Sequence, residues 1–176
     1  MSRSIPRWQV VGFLFTAIAG TFLHFLFDLT GGNIIAALFS AVNESIWEHM
    51  KLLFYPMLAF AMIEYFCWGK DLPQFWCVKL AGIMLGLLLI PVLYYTYTGI
   101  LGVNTDWFNI TIFFLTALAV FYLETRLFQN HECAIPSAVA FILLCLIAAT
   151  FTALTFVPPH IPLFRDPRTG TYGFQR

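Results

Sequence analysis

Five long apolar runs leave this chain few folds to choose from. They cover residues 8–29, 46–68, 75–98, 107–128 and 135–157, with short polar stretches between them. A helix rises about 1.5 Å per residue, so roughly 20 apolar residues cross a hydrocarbon core of about 30 Å. Each run is long enough. Only 10% of the chain is charged and 60% is hydrophobic. A soluble domain is nearer half apolar and about a quarter charged. Backbone in hydrocarbon must satisfy its own hydrogen bonds, so these runs are helices. The expected fold is all-α: one polytopic membrane bundle over residues 1–176, with five transmembrane helices. Ala17-Ile18-Ala19 resembles a signal-peptide cleavage site, but the apolar run continues well past it, so a retained first span is expected.

The same composition excludes several functions. Formal net charge is zero, so no basic face for nucleic acid is implied. Neither GxxxxGK[ST] nor GxGxxG occurs, which leaves nucleotide chemistry without support. Cys67, Cys77, Cys133 and Cys145 form no CxxC pair and read as unpaired small hydrophobes within apolar helices. Membrane lipid is the one partner that composition demands.

Between the first two spans, Thr30-Gly31-Gly32-Asn33 reads as a turn, and Ile34 to Phe39 is apolar but too short to cross. It suits a re-entrant or interfacial helix. Pro56 is expected to kink the second span. Gly82 and Gly86 in the third form a small-xxx-small pair that lets another helix approach. Pro158-Pro159 stops the fifth span. The tail over 158–176 is rich in proline, aromatics and turn residues, and is expected to fold back over the bundle.

Five crossings put the N-terminus and the loops after spans two and four on one face. The loops after spans one and three and the tail share the other. Arg3, Arg7, Lys70, Lys79 and Arg126 fall on the N-terminal face. The opposite loops hold only Lys51, although the tail adds Arg165, Arg168 and Arg176. This distribution predicts a cytoplasmic N-terminus and a tail outside.

Ionisable groups at membrane depth are costly and face a protein interior or a water-filled cavity. The C-terminal face collects His24, Asp28, Glu44, Glu48, His49, Lys51, Asp106, His160 and Asp166. His24 and Asp28 are four apart, so they share a helix face. An aspartate there can orient the imidazole, as around metal-bound histidines, or the pair can serve as interhelical glue. Glu44 and Glu48 share the same spacing. Two carboxylates and two histidines suit Zn²⁺ or another divalent ion, with a position left for water. Against this, Ser45 and Glu48 match a capping box, and Glu48 with Lys51 matches a helical ion pair. Capping leaves His49 unexplained. His160 lies in Pro158-Pro159-His160-Ile161-Pro162, where prolines fix its direction. Glu64 and Glu124 read as interfacial; facing inward, they would extend a proton or ion path from the cluster. His131 reads as a solvated loop residue.

Two stretches carry a resemblance. They are Asn43-Glu44-Ser45-x-Trp47-Glu48-His49-x-Lys51 and Pro158-Pro159-His160-x-Pro162-Leu163-Phe164-x-Asp166-Pro167-x-Thr169-Gly170-x-Tyr172-Gly173. With them the whole chain resembles a family of small bacterial integral membrane proteins of unknown function. The resemblance implies a multi-pass protein of a bacterial plasma membrane and brings no activity. A fainter likeness is to the membrane hydrolases that include alkaline ceramidases, which hold zinc in a seven-helix bundle. This chain has five spans and lacks their paired HxxxH.

The leading expectation is a metal-dependent hydrolase of a lipid or other amphiphile. His24, Glu44, His49 and His160 would bind the ion. Asp28 would orient His24, and Glu48 would act as general base. Asn43, Ser45, Trp47, Lys51 and Asp166 would shape the pocket. The alternative is a transporter or binding protein that uses the same groups for a cation or a small amphiphile. A third reading is a structural subunit in which the first motif is a cap and the second a clasp.

Overall fold

The computed structural model describes residues 5–130 and 133–175, so Arg3, His131 and Arg176 fall outside it. Five of its helices are long and apolar enough to cross a membrane. They are α1 (Ile5–Leu29), α3 (Ile46–Cys67), α4 (Phe75–Leu101), α5 (Asp106–Asn130) and α6 (Ser137–Phe156). The short apolar run forms its own helix, α2 (Ile34–Phe39), capped by Asn33, whose Oδ1 accepts from the Ile35 N–H at 2.8 Å. Ala36 and Ala37 of α2 turn inward while Ile34, Ile35 and Phe39 stay exposed, as a helix at a membrane boundary requires.

α1 buries a single narrow stripe of Ile5, Gln9, Gly12, Thr16 and Gly20. These positions recur every three to four residues, which is one helix face. Val10, Ile18 and Phe22 on its other side are more than half exposed, as a lipid-facing surface would be. Lipid is as apolar as leucine, so helices in a membrane associate through close packing rather than by escaping water. Two glycines give α1 that closeness. A methyl group on Gly12 would lie 2.6 Å from the rings of Phe60 and Phe121, and one on Gly20 would lie 2.6 Å from the Leu52 carbonyl oxygen. Leu52 is four residues before Pro56. Proline has no N–H, so the Leu52 carbonyl loses its helical donor there. α3 runs through Pro56 unbroken, and the bare Cα of Gly20 sits against the freed carbonyl. α3 and α4 carry most of the core, including Leu53, Phe54, Ala61 and Ile83.

α4 extends beyond its expected end at Thr98 to Leu101, where Gly102 at φ 69° closes it. Left-handed backbone at that position favours glycine. The cysteines also depart from expectation. Cys77, near the start of α4, is disulfide-bonded to Cys133 in the segment that leads into α6. The two are distant in sequence and share no short motif, so spacing carried no sign of the bond. Cys67 and Cys145 are free.

Candidate metal centre between the first and third helices

Asn43 Oδ1 accepts from the Ser45 N–H at 2.9 Å, an Asx turn that aims the chain into α3. Ser45 is the N-cap, and its hydroxyl accepts from the Glu48 N–H at 3.4 Å. α3 therefore begins at Ile46, and Glu44 lies outside it. Glu44 and Glu48 do not share a face.

Glu48 turns into the protein with 1% exposure, and its carboxylate meets Lys51 Nζ at 2.6 Å. It also accepts from the Val42 N–H at 3.1 Å and the Thr155 hydroxyl at 3.1 Å. Lys51 completes the knot by donating to Thr155 and to the Ala37 carbonyl at the end of α2. A cation there also complements the negative end of the α2 dipole. Glu48 is thus an ion-pair partner that ties α2, α3 and α6 together, and it is not among the residues that line the cavity described next. Trp47 packs with its ring centre 4.6 Å from those of Phe151 and Phe164, pinning the tail to α6.

On the opposite side of the Asn43–His49 turn, His24, Glu44 and His49 converge. One ligand atom from each lies within 4.8 Å of the others. His49 Nε2 is 3.6 Å from Glu44 Oε2, and the two imidazole rings are 5.4 Å apart. His49 Nδ1 is 2.9 Å from the Ser45 carbonyl. A carbonyl can only accept, so Nδ1 donates to it and Nε2 is the ring nitrogen turned toward Glu44. That is the arrangement in which a backbone carbonyl orients a metal-binding histidine. His24 Nδ1 is buried without a partner, a polar atom that a ligand would satisfy.

These three residues line a cavity of about 640 Å³. Phe25, Leu52, Ile90, Ile112, Phe113 and Phe114 give it apolar walls, while Asp28, Asp106, Asn109 and Arg168 supply polar groups. Asp28 shares the cavity but makes no hydrogen bond to His24, so it is free to act on an occupant. His160 is not part of the group. It is exposed, and its ring stands edge-on to Tyr172 at 4.7 Å.

The tail motif acts on Glu44 from behind. Asp166 Oδ1 accepts from the N–H groups of Arg168 (2.7 Å) and Thr169 (3.2 Å), and Oδ2 from the Glu44 N–H at 3.4 Å. Asn43 Nδ2 donates to the Gly173 carbonyl, and the Phe174 N–H to the Thr155 carbonyl. A methyl on Gly173, at φ 58°, would lie 2.6 Å from that same carbonyl. Arg168 reaches Asp106 at the start of α5 at 2.8 Å and forms part of the cavity wall. Asp106 belongs to the ionisable groups of this face; Arg168 was counted only as an orienting charge and Asn109 not at all, and their part in the wall has no signature in spacing.

The fold and this site define a multi-pass helical membrane protein with a cavity at the end of the bundle where α1 and α4 finish and α3 and α5 begin. The chain belongs to a family of unknown function (DUF6512), whose model matches residues 1–174. No curated protein and no solved structure matches it.

Proposed function

We propose that the cavity is a metal-dependent hydrolytic site for an amphiphile, with His24, Glu44 and His49 holding a divalent cation. The convergence of two imidazoles and one carboxylate carries this reading. His₂Glu is a ligand set of catalytic zinc, which keeps a fourth position open. Such an ion supplies Lewis acidity and activates water near neutral pH. Asp28 is the carboxylate in the cavity placed to take a proton, the role expected of Glu48 from spacing. The apolar walls suit an acyl or other hydrocarbon chain, and Arg168 suits a polar or anionic head.

The test is elemental analysis of the tag-free, detergent-purified chain. Near-stoichiometric zinc, manganese or iron is expected in wild type and in His160→Ala, and not in His24→Ala or His49→Ala. A wild type that takes up no metal after incubation with these ions overturns the metal reading. With metal in place, a panel of ester and amide amphiphiles should be cleaved by wild type and not by Asp28→Asn.

A second reading, an ion or proton transporter, draws on Glu64 and Glu124. Both face inward, with 0% exposure, rather than toward the interface. Between them and the histidines the rings of Phe60, Phe121 and Phe113 pack on Gly12 and Gly20, and Thr16 is the polar side chain α1 buries there, which favours a closed site over a continuous charged path. Flux in proteoliposomes, with cleavage absent, would reverse the order of the two.

Orientation belongs to the same reading. Disulfides persist in oxidising compartments. The Cys77–Cys133 bond supports an N-terminal face outside and a cavity that opens toward the cytoplasm, the reverse of the loop-charge expectation.

A further inference from the structure

At the opposite end of the bundle from the histidines, four helices each send one polar side chain to the same enclosed spot. α1 supplies Gln9, α3 Glu64, α4 Lys79 and α5 Glu124, none more than 2% exposed. α6 packs on α4 and has no charged residue. Gln9 Nε2 donates to Glu64 Oε1 at 3.1 Å. The Lys79 ammonium contacts Glu64 and, at 2.6 Å, Glu124. The rings of Phe75, Phe121 and Phe128 surround that ammonium at 5.6 to 5.8 Å. Such rings favour the charged lysine.

The formal charges do not balance. One ammonium faces two carboxylates, so the fully ionised cluster carries a net negative charge away from water. Burying an unpaired charge is costly enough that the group takes a proton instead, and two carboxylates that share a site do not both ionise. The hydrogen bonds make the same demand. Gln9 Oε1 and Glu124 Oε1 are both buried acceptors with no donor. A proton on Glu124 turns one stranded acceptor into a donor. Glu64 has a hydrogen bond from Gln9 beside its ion pair with Lys79, whereas Glu124 has Lys79 alone. α4 is also cut away around this carboxyl, since a methyl on Gly82 would lie 2.5 Å from Glu124 Oε1.

We infer that Glu64, Lys79 and Glu124 form a proton-binding site that holds one proton at neutral pH, carried by Glu124. The site stands independently of the metal reading. It gives the helices that carry His24 and His49 a second, titratable junction at their other ends.

Infrared spectroscopy of the full chain in lipid tests this through the carbonyl stretch of protonated carboxyl groups. Charge balance sets the pattern. Wild type shows one protonated carboxyl at pH 7. Glu124→Gln and Glu64→Gln each lose the band, because the remaining carboxylate pairs with Lys79. Lys79→Gln shows a twofold stronger band, because both carboxyls are then neutral. Glu124→Gln replaces a neutral acid by an amide of the same shape and so retains the fold, which its unfolding temperature checks. A wild type without the band, or a band that survives in Glu124→Gln, overturns the proposal.

Discussion

Glu48 and Lys51 hold opposite charges where water does not reach, at 1% and 0% exposure. Removing one partner strands the other, at a cost of about 3–5 kcal/mol. Glu48→Gln and Lys51→Met should each lower the unfolding temperature in detergent sharply, and the double variant should lose less than their sum. A catalytic Glu48 would behave differently, with stability kept and turnover lost. Asp166 gives the corresponding prediction in pH. Burial opposes its charge, but the N–H groups of Arg168, Thr169 and Glu44 outweigh it and hold the carboxyl below its ordinary range. A carboxyl with the lower pKa in the folded state stabilises fully above its unfolded value of about 3.9, and that contribution is lost as pH falls through the folded value. Asp166→Asn should be about 2 kcal/mol less stable at pH 7. Denaturation at a series of pH values should show the gap to wild type closing below about pH 4.

The contact of α1 with α3 decides whether the histidines meet. His24 is one turn beyond Gly20, where α1 touches the carbonyl that Pro56 frees. Gly20→Ala places a methyl against backbone, which cannot yield as a side chain can. α1 must then move away, carrying His24 from His49. Metal affinity, measured by competition with a chromophoric chelator, should fall on the order of tenfold although no ligand is altered. Gly99→Ala, with nothing within 4 Å, should leave it unchanged. The same contact explains which parts of the site were legible beforehand. Helix positions follow from bilayer thickness and run length, so all five spans could be read. His24, Glu44 and His49 could be named because charged and metal-ligating residues are rare in such a chain. Their meeting could not, because it depends on packing at Gly20. The pairing of Glu44 with Glu48 failed at a boundary: Ser45 caps α3 between them, so spacing of four carries no shared face. His160 had a stiff setting but no positional cue, and Tyr172 holds it elsewhere. Glu64 and Glu124 lie near span ends, where carboxylates ordinarily reach water. Lys79 and Gly82 were both visible in the sequence, but only their arrangement around Glu124 gives that carboxyl a buried place.

At the scale of the whole molecule, the loop-charge reading weakens once burial is known. Lys51 and Lys79 are interior ion-pair partners, so neither is a loop charge. Arg3, Arg7, Lys70 and Arg126 then stand against Arg165, Arg168 and Arg176, four against three, which is too even to orient the chain. The Cys77–Cys133 bond favours an oxidising side for that face. Cys67 reports on that side directly, since it is a free, exposed thiol at the end of α3 on the same face. A membrane-impermeant maleimide should label Cys67 in intact cells, and Cys67→Ser should abolish the signal. Cys145 sits midway along α6, within the apolar span, where a polar reagent does not reach. A Gln175→Cys tail in the Cys67→Ser background should label only after lysis. The opposite pattern, Cys67 protected and the tail labelled, would put the disulfide face in the cytoplasm, restore the loop-charge orientation and leave the cavity open to the exterior.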